Sequence, residues 1–202
     1  MKHIKTTIIA IFTLGIFGFE LQAQDVIHFQ DWEGELGSGN WFNFPGTGIN
    51  TWLRGTATSA AGSKSAHITP NRPSTTTFGY NKAEAVEASE YVDIDFPASP
   101  AENFQLRFDW ICTGEIDGGV AQDYMRVFLI DPATDLNESD IESAASTIEI
   151  LGPDVDNRFV GQGSWTNTVR EFDNSETSDL AGNTYRLVFL WIRRYSYFEI
   201  LS

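Results

Sequence analysis

Two acidic side chains stand beside tryptophans in the stretch FQDWEGELGSGNW, residues 29–41. Asp31 and Glu33 are separated by one residue, so on an extended strand both carboxylates point to the same face. Calcium takes roughly six to eight oxygen ligands and binds such carboxylates well. We therefore predict a structural calcium site at Asp31 and Glu33. The alternative is a solvated strand edge whose charges discourage pairing with another strand.

Three tryptophans in the N-terminal third are candidates for ligand binding, because sugars stack on exposed indole faces. They are Trp32, Trp41 and Trp52. The alternative is burial, since tryptophan is mostly buried in folded proteins, and NWFNF (residues 40–44) is then a loop that plugs one end of the fold. Trp110 and Trp191 lie in strongly apolar runs and are predicted to belong to the core.

No motif of the common hydrolases or nucleotide-binding enzymes occurs in the chain. G-x-S-x-G, H-E-x-x-H and the Walker loop are all absent from the sequence. A glycosidase needs paired carboxylates, and Glu33 would have to meet Glu115 or Asp117 from a distant strand. We therefore predict no catalytic residue and no enzyme activity.

Two further acidic runs resemble metal-binding loops only in composition. DLNESD (residues 135–140) begins like an EF-hand loop, but its sixth residue is Asp140, where that loop needs Gly. DVDN (residues 154–157) is typical of a turn, because Asp and Asn side chains stabilise turn conformations. Neither run is predicted to hold a metal.

Short segments that alternate apolar and polar residues must position these side chains. FQLRFDW (residues 104–110) is the clearest, with one apolar face and one wet face. The predicted strands are residues 26–29, 65–69, 91–96, 104–110, 124–130, 146–151, 167–172 and 185–192. Turn residues separate these strands, which predicts an antiparallel sandwich or barrel.

The runs YMRVFLI (residues 124–130) and YRLVFLWI (residues 185–192) are apolar on both faces, so both are predicted to lie centrally and to be covered on each side. The polar segment 132–146 is predicted to be an exposed insertion. A short helix capped by Asp135 is the alternative there.

The chain has 202 residues, a net charge of −15 and a single cysteine. A basic start followed by a short apolar run marks residues 1–23 as a signal peptide. The protein is therefore predicted to be secreted, at the cell surface or periplasmic, with no membrane insertion after cleavage.

The acidity of the chain argues against nucleic acid and anionic membranes as partners, and is compatible with calcium or neutral glycans. Cys112 is predicted to be a buried, unreactive thiol.

The order of these features resembles the jelly-roll modules called cleaved-adhesin or choice-of-anchor domains, within the wider group similar to MAM domains and lectin-like sandwiches. The matching runs are FQDWEG, SKSAHI, LRFDW, DYMRVFLID, the isolated Trp165 and AGNTYRLVFLW, and the resemblance covers residues 27–191. The resemblance implies an all-β, antiparallel jelly-roll β-sandwich without an active site. It also implies structural calcium and a glycan or host-protein ligand.

Members of that family continue into a closing strand that carries IDN, whereas this chain ends IRRYSYFEILS. The resemblance therefore predicts one domain over residues 24–202, truncated at its C-terminus, with an incomplete calcium site. The function expected from it is an exported, non-catalytic adhesion or binding module for a glycan or an extracellular protein. The alternative is an accessory domain of a secreted glycoside hydrolase or peptidase.

Overall fold

The computed structural model describes residues 26–33, 41–47, 49–70, 76, 79–81, 86–100 and 103–194. The predicted signal peptide and the predicted C-terminal truncation lie outside these residues. The described strands are β1 (Phe42–Thr47), β2 (Thr51–Gly55), β3 (Ser65–Thr69), β4 (Val86–Asp95), β5 (Gln105–Cys112), β6 (Glu115–Asp117), β7 (Val120–Ile130), β8 (Ile148–Ile150), β9 (Gln162–Glu171) and β10 (Thr184–Arg193). The helices are α1 (Glu138–Ser143) and α2 (Asn174–Leu180), with a 3₁₀ turn at Val155–Asn157.

The main sheet has six strands in the order β1-β4-β10-β7-β6, and β8 also pairs with β7. All of its pairs are antiparallel. The strands β7 and β10 pair with each other at its centre, and the second half of each is buried on both faces. This confirms the central position predicted from their continuous apolar runs, because a strand covered on both sides needs apolar residues at every position.

Two apolar clusters cover the two faces of the main sheet. On the inner face, residues such as Val127 and Leu187 pack against the pairs β2–β3 and β5–β9, which form the second layer. On the outer face, Phe128 and Leu190 pack against Ile141 of α1. The prediction of an all-β, antiparallel sandwich is therefore confirmed.

One face of the second layer is exposed to solvent, as the alternation of apolar and polar residues in β5 predicts. Arg107 and Asp109 are exposed, Phe108 is half-buried, and Trp110 is buried with its Nε1 donating to Thr168 Oγ1 at 2.9 Å. Cys112, at the end of the same strand, is also buried, and burial raises the pKa of its thiol to about 12. The predicted burial of Cys112 is confirmed, and the raised pKa is consistent with the low reactivity predicted for its thiol.

The strand predicted at residues 26–29 is wrong, because residues 26–33 form no strand. Asp31 Oδ1 accepts a hydrogen bond from the Glu33 backbone N–H at 3.0 Å, and Trp32 has a left-handed φ of 64°. This local turn removes the extended geometry that was expected to place Asp31 and Glu33 on one face. The loop that the burial alternative assumed for NWFNF is not formed, since Phe42, Asn43 and Phe44 belong to the strand β1, whereas Trp41 is buried as that alternative expected.

Both described helices depend on their caps. The segment 132–146, predicted as an exposed insertion, contains α1, and its cap is Asn137 rather than the Asp135 of the alternative. The Asn137 side chain accepts from the Asp140 N–H at 3.0 Å. The helix α2 was not predicted, although it begins with a capping box between Asp173 and Glu176. Within the described ranges, neither helix has the length and apolar content needed to cross a membrane.

The turn predicted at residues 154–157 is confirmed, since it forms the 3₁₀ turn. Asp154 accepts from the Val155 N–H at 2.8 Å and thereby stabilises the turn.

Candidate functional site

Glu33 fastens the N-terminal segment onto the turn between β2 and β3. Its Oε1 accepts from the N–H groups of Ser63 and Lys64 at 2.6 and 2.8 Å, and its Oε2 accepts from Ser63 Oγ at 2.7 Å. These bonds hold the pKa of Glu33 below its usual value, with the Ser63 hydroxyl as the largest cause. Gly62 has a φ of +68°, and a Cβ there would lie 2.3 Å from Oε1. The turn therefore needs glycine beside this carboxylate.

The calcium predicted at Asp31 and Glu33 finds a poor set of donors. Asp31 accepts a hydrogen bond from its own turn, and both oxygens of Glu33 accept bonds from Ser63 or Lys64. No group of three or more His, Cys, Asp or Glu side chains that could hold a metal occurs among the described residues. These carboxylates fit an anchor for the segment better than a calcium shell, and calcium at this place stays a prediction.

Two of the three candidate tryptophans lie in the core. Trp41 is 6% exposed and Trp52 is 8% exposed. The Nε1 of Trp52 donates to the Ala88 carbonyl at 2.9 Å, and this hydrogen bond connects β2 to β4. Neither indole presents a free face for a sugar, because both side chains point into the inner cluster between the two layers.

Trp32 is half-buried and belongs to a group of aromatic and charged side chains. Its ring centroid lies 5.0 Å from that of Trp41, and the Arg54 guanidinium lies 5.7 Å from its centroid. Glu90 of β4 is 4% exposed on the same inner side. Burial raises the pKa of Glu90 to about 7, and the charge of Arg54 opposes that rise. A predicted ligand-binding role for Trp32 stays open.

A second aromatic group lies on the outer face of the main sheet, where β1 meets β4. Phe42 and Tyr91 are opposite each other in the ladder, and their stacked rings have centroids 5.5 Å apart. Phe42 is 52% exposed and Phe44 is 45% exposed. Phe44 shares the face of Phe42, because residues two apart on a strand point the same way.

A charged pair continues this surface onto β10. Arg186 donates from Nε and Nη2 to the two oxygens of Asp93 at 2.7 and 3.0 Å. Its guanidinium carbon lies 4.4 Å from the Tyr91 ring centroid. The hydrogen bond to Asp93 is the largest cause that raises the pKa of Arg186. We call Phe42, Phe44, Tyr91, Asp93 and Arg186 together the outer-face platform.

The helix α1 covers part of the outer face of the main sheet and so determines which part of that face is exposed to solvent. Ile141 is fully buried over β10 and β7, and the Glu138 N–H donates to Glu87 of β4 at 3.0 Å. Arg126 holds the helix further, with hydrogen bonds to Glu138 at 2.8 Å and to Glu142. The helix thus covers the central strands, while the platform at β1 and β4 stays accessible.

The outer-face platform was missing from the sequence-based predictions. The alternating aromatics of FNF (residues 42–44) are a strand signal, but they lay in a segment interpreted as a loop. Tyr91 and Asp93 were placed on a strand, and Arg186 on another. Only the pairing of β1, β4 and β10 shows that these residues are neighbours.

No family model matches the chain, and no curated protein matches it. Among solved structures, the complex of TmCBM61 with β-1,4-galactotriose is similar to this chain with a TM-score of 0.41 and 9% sequence identity. The similarity covers 76% of this chain and 78% of that chain. So distant a likeness does not bear on what the present chain binds.

Proposed function

We propose that this chain is a non-catalytic β-sandwich module that binds a glycan on its outer-face platform. The observation that carries the proposal is the exposed stack of Phe42 on Tyr91 beside the paired Asp93 and Arg186. A sugar ring has an apolar C–H face that packs on an aromatic ring. Its hydroxyls can accept from the guanidinium and donate to the carboxylate.

The exposure of these rings supports a binding role. Phe42 and Phe44 are adjacent on one face, with the half-buried Tyr91 beside them. Soluble proteins expose contiguous apolar surface mainly where a ligand or partner binds.

Export by a signal peptide in residues 1–23 would bring the module to glycans outside the cell. There it would act as an adhesion module or as an accessory domain of a secreted hydrolase or peptidase. These settings share the same requirement, which is a binding surface that performs no chemistry on its ligand. The exposed ring of Phe42 and the hydrogen-bonding groups of Asp93 and Arg186 provide such a surface.

The proposal is tested by screening the protein against a glycan array and measuring affinities by calorimetry. Phe42→Ala should weaken binding of the recognised glycan about fivefold to tenfold, because it removes one stacking face. Phe29→Ala is the matched control, since Phe29 is 74% exposed but lies on the N-terminal segment. Failure of every glycan to bind, or equal losses in both variants, would overturn the assignment of the platform.

A further inference from the structure

The charges around the outer-face platform indicate which glycans it accepts. The ladder between β4 and β10 is continuous from Val86 to Asp95, so alternate residues of β4 share the outer face. Tyr91 lies among acids on that face, namely Glu87, Asp93 and Asp95. The opposing cation is Arg186 on the neighbouring strand.

The charge of Arg186 is already balanced. Both oxygens of Asp93 accept its hydrogen bonds, and the face of Tyr91 lies against the guanidinium. An acidic sugar would have to compete with Asp93 for this cation while approaching the other acids. Like charges brought together at an interface oppose binding, so the platform disfavours uronates and sulfated sugars.

A neutral sugar meets no such opposition. The Asp93 side chain is 40% exposed, so its carboxylate can accept a further hydrogen bond from a hydroxyl. The guanidinium has N–H groups beyond the two that Asp93 uses, although only 16% of the side chain is exposed. The two groups lie side by side, so one can donate to a sugar ring and the other can accept from it.

Building on the proposed function, we infer that the platform selects neutral glycans, with Asp93 and Arg186 as the specificity-determining pair. Phe42 provides the stacking surface with its exposed face, and Tyr91, which lies between Phe42 and Arg186, supports it from behind. The pair binds neighbouring hydroxyls while it excludes carboxylates. Asp93 acts in both roles, because it accepts from a hydroxyl and keeps the charge of Arg186 neutralised. Removing the negative charge of Asp93 should therefore weaken the preference for neutral over acidic glycans.

The test uses oligomers of glucose, mannose and galactose, each paired with the same oligomer oxidised at C6 to the uronic acid. The wild-type protein should bind the recognised neutral oligomer about tenfold more tightly than its oxidised counterpart at low salt. Asp93→Asn should narrow that ratio about fivefold, because it leaves the charge of Arg186 unbalanced. The ratio should also narrow in the wild type as salt is raised.

Asp109→Asn is the matched control, because it makes the same change in net charge on the exposed face of β5. It should leave the ratio as in the wild type. An equal effect of Asp109→Asn would assign the selectivity to overall charge and overturn the role of the pair. Preferred binding of the oxidised oligomers would overturn the inference while it leaves glycan binding intact. Absence of binding by both classes would instead refute the proposed function itself.

Discussion

At the scale of single residues, Glu90 is a carboxyl group held inside the sandwich. It is opposite Asn43 and Phe189 in the two ladders of β4, and only 4% of it is exposed. Burial disfavours the ionised form, and the charge of Arg54 compensates only in part, so its pKa is raised to about 7. Ionisation of Glu90 therefore lowers the free energy of unfolding, by an amount that depends on pH.

Because the pKa of Glu90 is raised in the folded state, this residue favours folding at low pH and opposes it at high pH. The neutral carboxyl stabilises the folded state fully below the usual pKa of 4.5, and this stability is lost as the pH rises through about 7. Between pH 4.5 and 8 the wild type should lose on the order of 3 kcal/mol relative to Glu90→Gln. Urea unfolding of both proteins at several pH values measures the difference. If the free energies of unfolding of the two proteins changed with pH in parallel between pH 4.5 and 8, Glu90 would be ionised in the folded protein over that range.

Glu33 gives a second prediction at this scale. Its pKa is lowered by Ser63 and Lys64, so its contribution to stability is present above the usual pKa and lost as the pH falls below it. Glu33→Gln should lower the melting temperature at pH 7, because the carboxylate that accepts the bonds of Ser63 and Lys64 is lost.

A chelator separates this anchor from the predicted calcium site. If Glu33 acts as an anchor alone, EDTA leaves the melting temperature of the wild type unchanged, because the oxygens of Glu33 are engaged by Ser63 and Lys64. A decrease with EDTA that disappears in the double variant Asp31→Asn with Glu33→Gln would establish calcium at this place instead.

At the scale of elements, α2 shows how a short helix is held in an all-β fold. It has seven residues, too few to be stable alone, and buries only Thr177 and Leu180. The Asp173 side chain accepts from the N–H groups of Ser175 and Glu176 at 2.8 and 2.9 Å, and Glu176 accepts from the Asp173 N–H. The cap thus satisfies backbone groups that the helix leaves unpaired.

Removing this cap should have a local and modest cost. Asp173→Ala should reduce the free energy of unfolding by about 1 kcal/mol, because the first-turn N–H groups lose their acceptor. Ser178→Ala serves as the control, since its exposed hydroxyl donates only to the Asn174 carbonyl within the helix. Chemical denaturation compares the three proteins. A cost no larger than that of the control would mean that water replaces the cap without penalty.

At the scale of the whole molecule, a buried ion pair joins the end of β10 to the start of β7. Arg193 donates to both oxygens of Asp123 at 2.6 and 2.8 Å, and Tyr80 donates to Asp123 at 2.5 Å. Asp123 is fully buried and Arg193 is 8% exposed. The pair connects the two central strands to residues 79–81, so it supports several parts of the fold together.

Breaking this pair should destabilise the entire sandwich. Asp123→Asn should cost about 3–5 kcal/mol, because it removes the buried carboxylate that Arg193 contacts directly and leaves only the more distant Glu115, at 3.9 Å, to balance its charge. The double variant Asp123→Leu with Arg193→Met should cost less than Asp123→Asn, since no charge then stays buried. Asp93→Asn is a surface control and should cost no more than about 1 kcal/mol. Equal costs for the buried and surface single variants, measured by denaturant unfolding, would contradict this account.

The sequence by itself determined the fold class and most of its strands. The alternation in β5 and the continuous apolar runs of β7 and β10 describe the faces of each strand, and the buried Cys112 follows from the same pattern. These features are local, because each depends only on which faces of one strand are covered. The strand predicted at residues 26–29 does not form, and the turn at Asp31 removes the extended geometry that was expected to place Asp31 and Glu33 on one face.

Only the tertiary structure decided where the candidate site lies. Asp93 and Arg186 are 93 residues apart in the chain, and they meet because β4 and β10 pair in one register. The same pairing of strands places Phe42 on Tyr91 and turns Trp41 into the core. Alternation is a property of one strand, whereas register is a property of two. A shift by one residue would exchange the buried face for the exposed one.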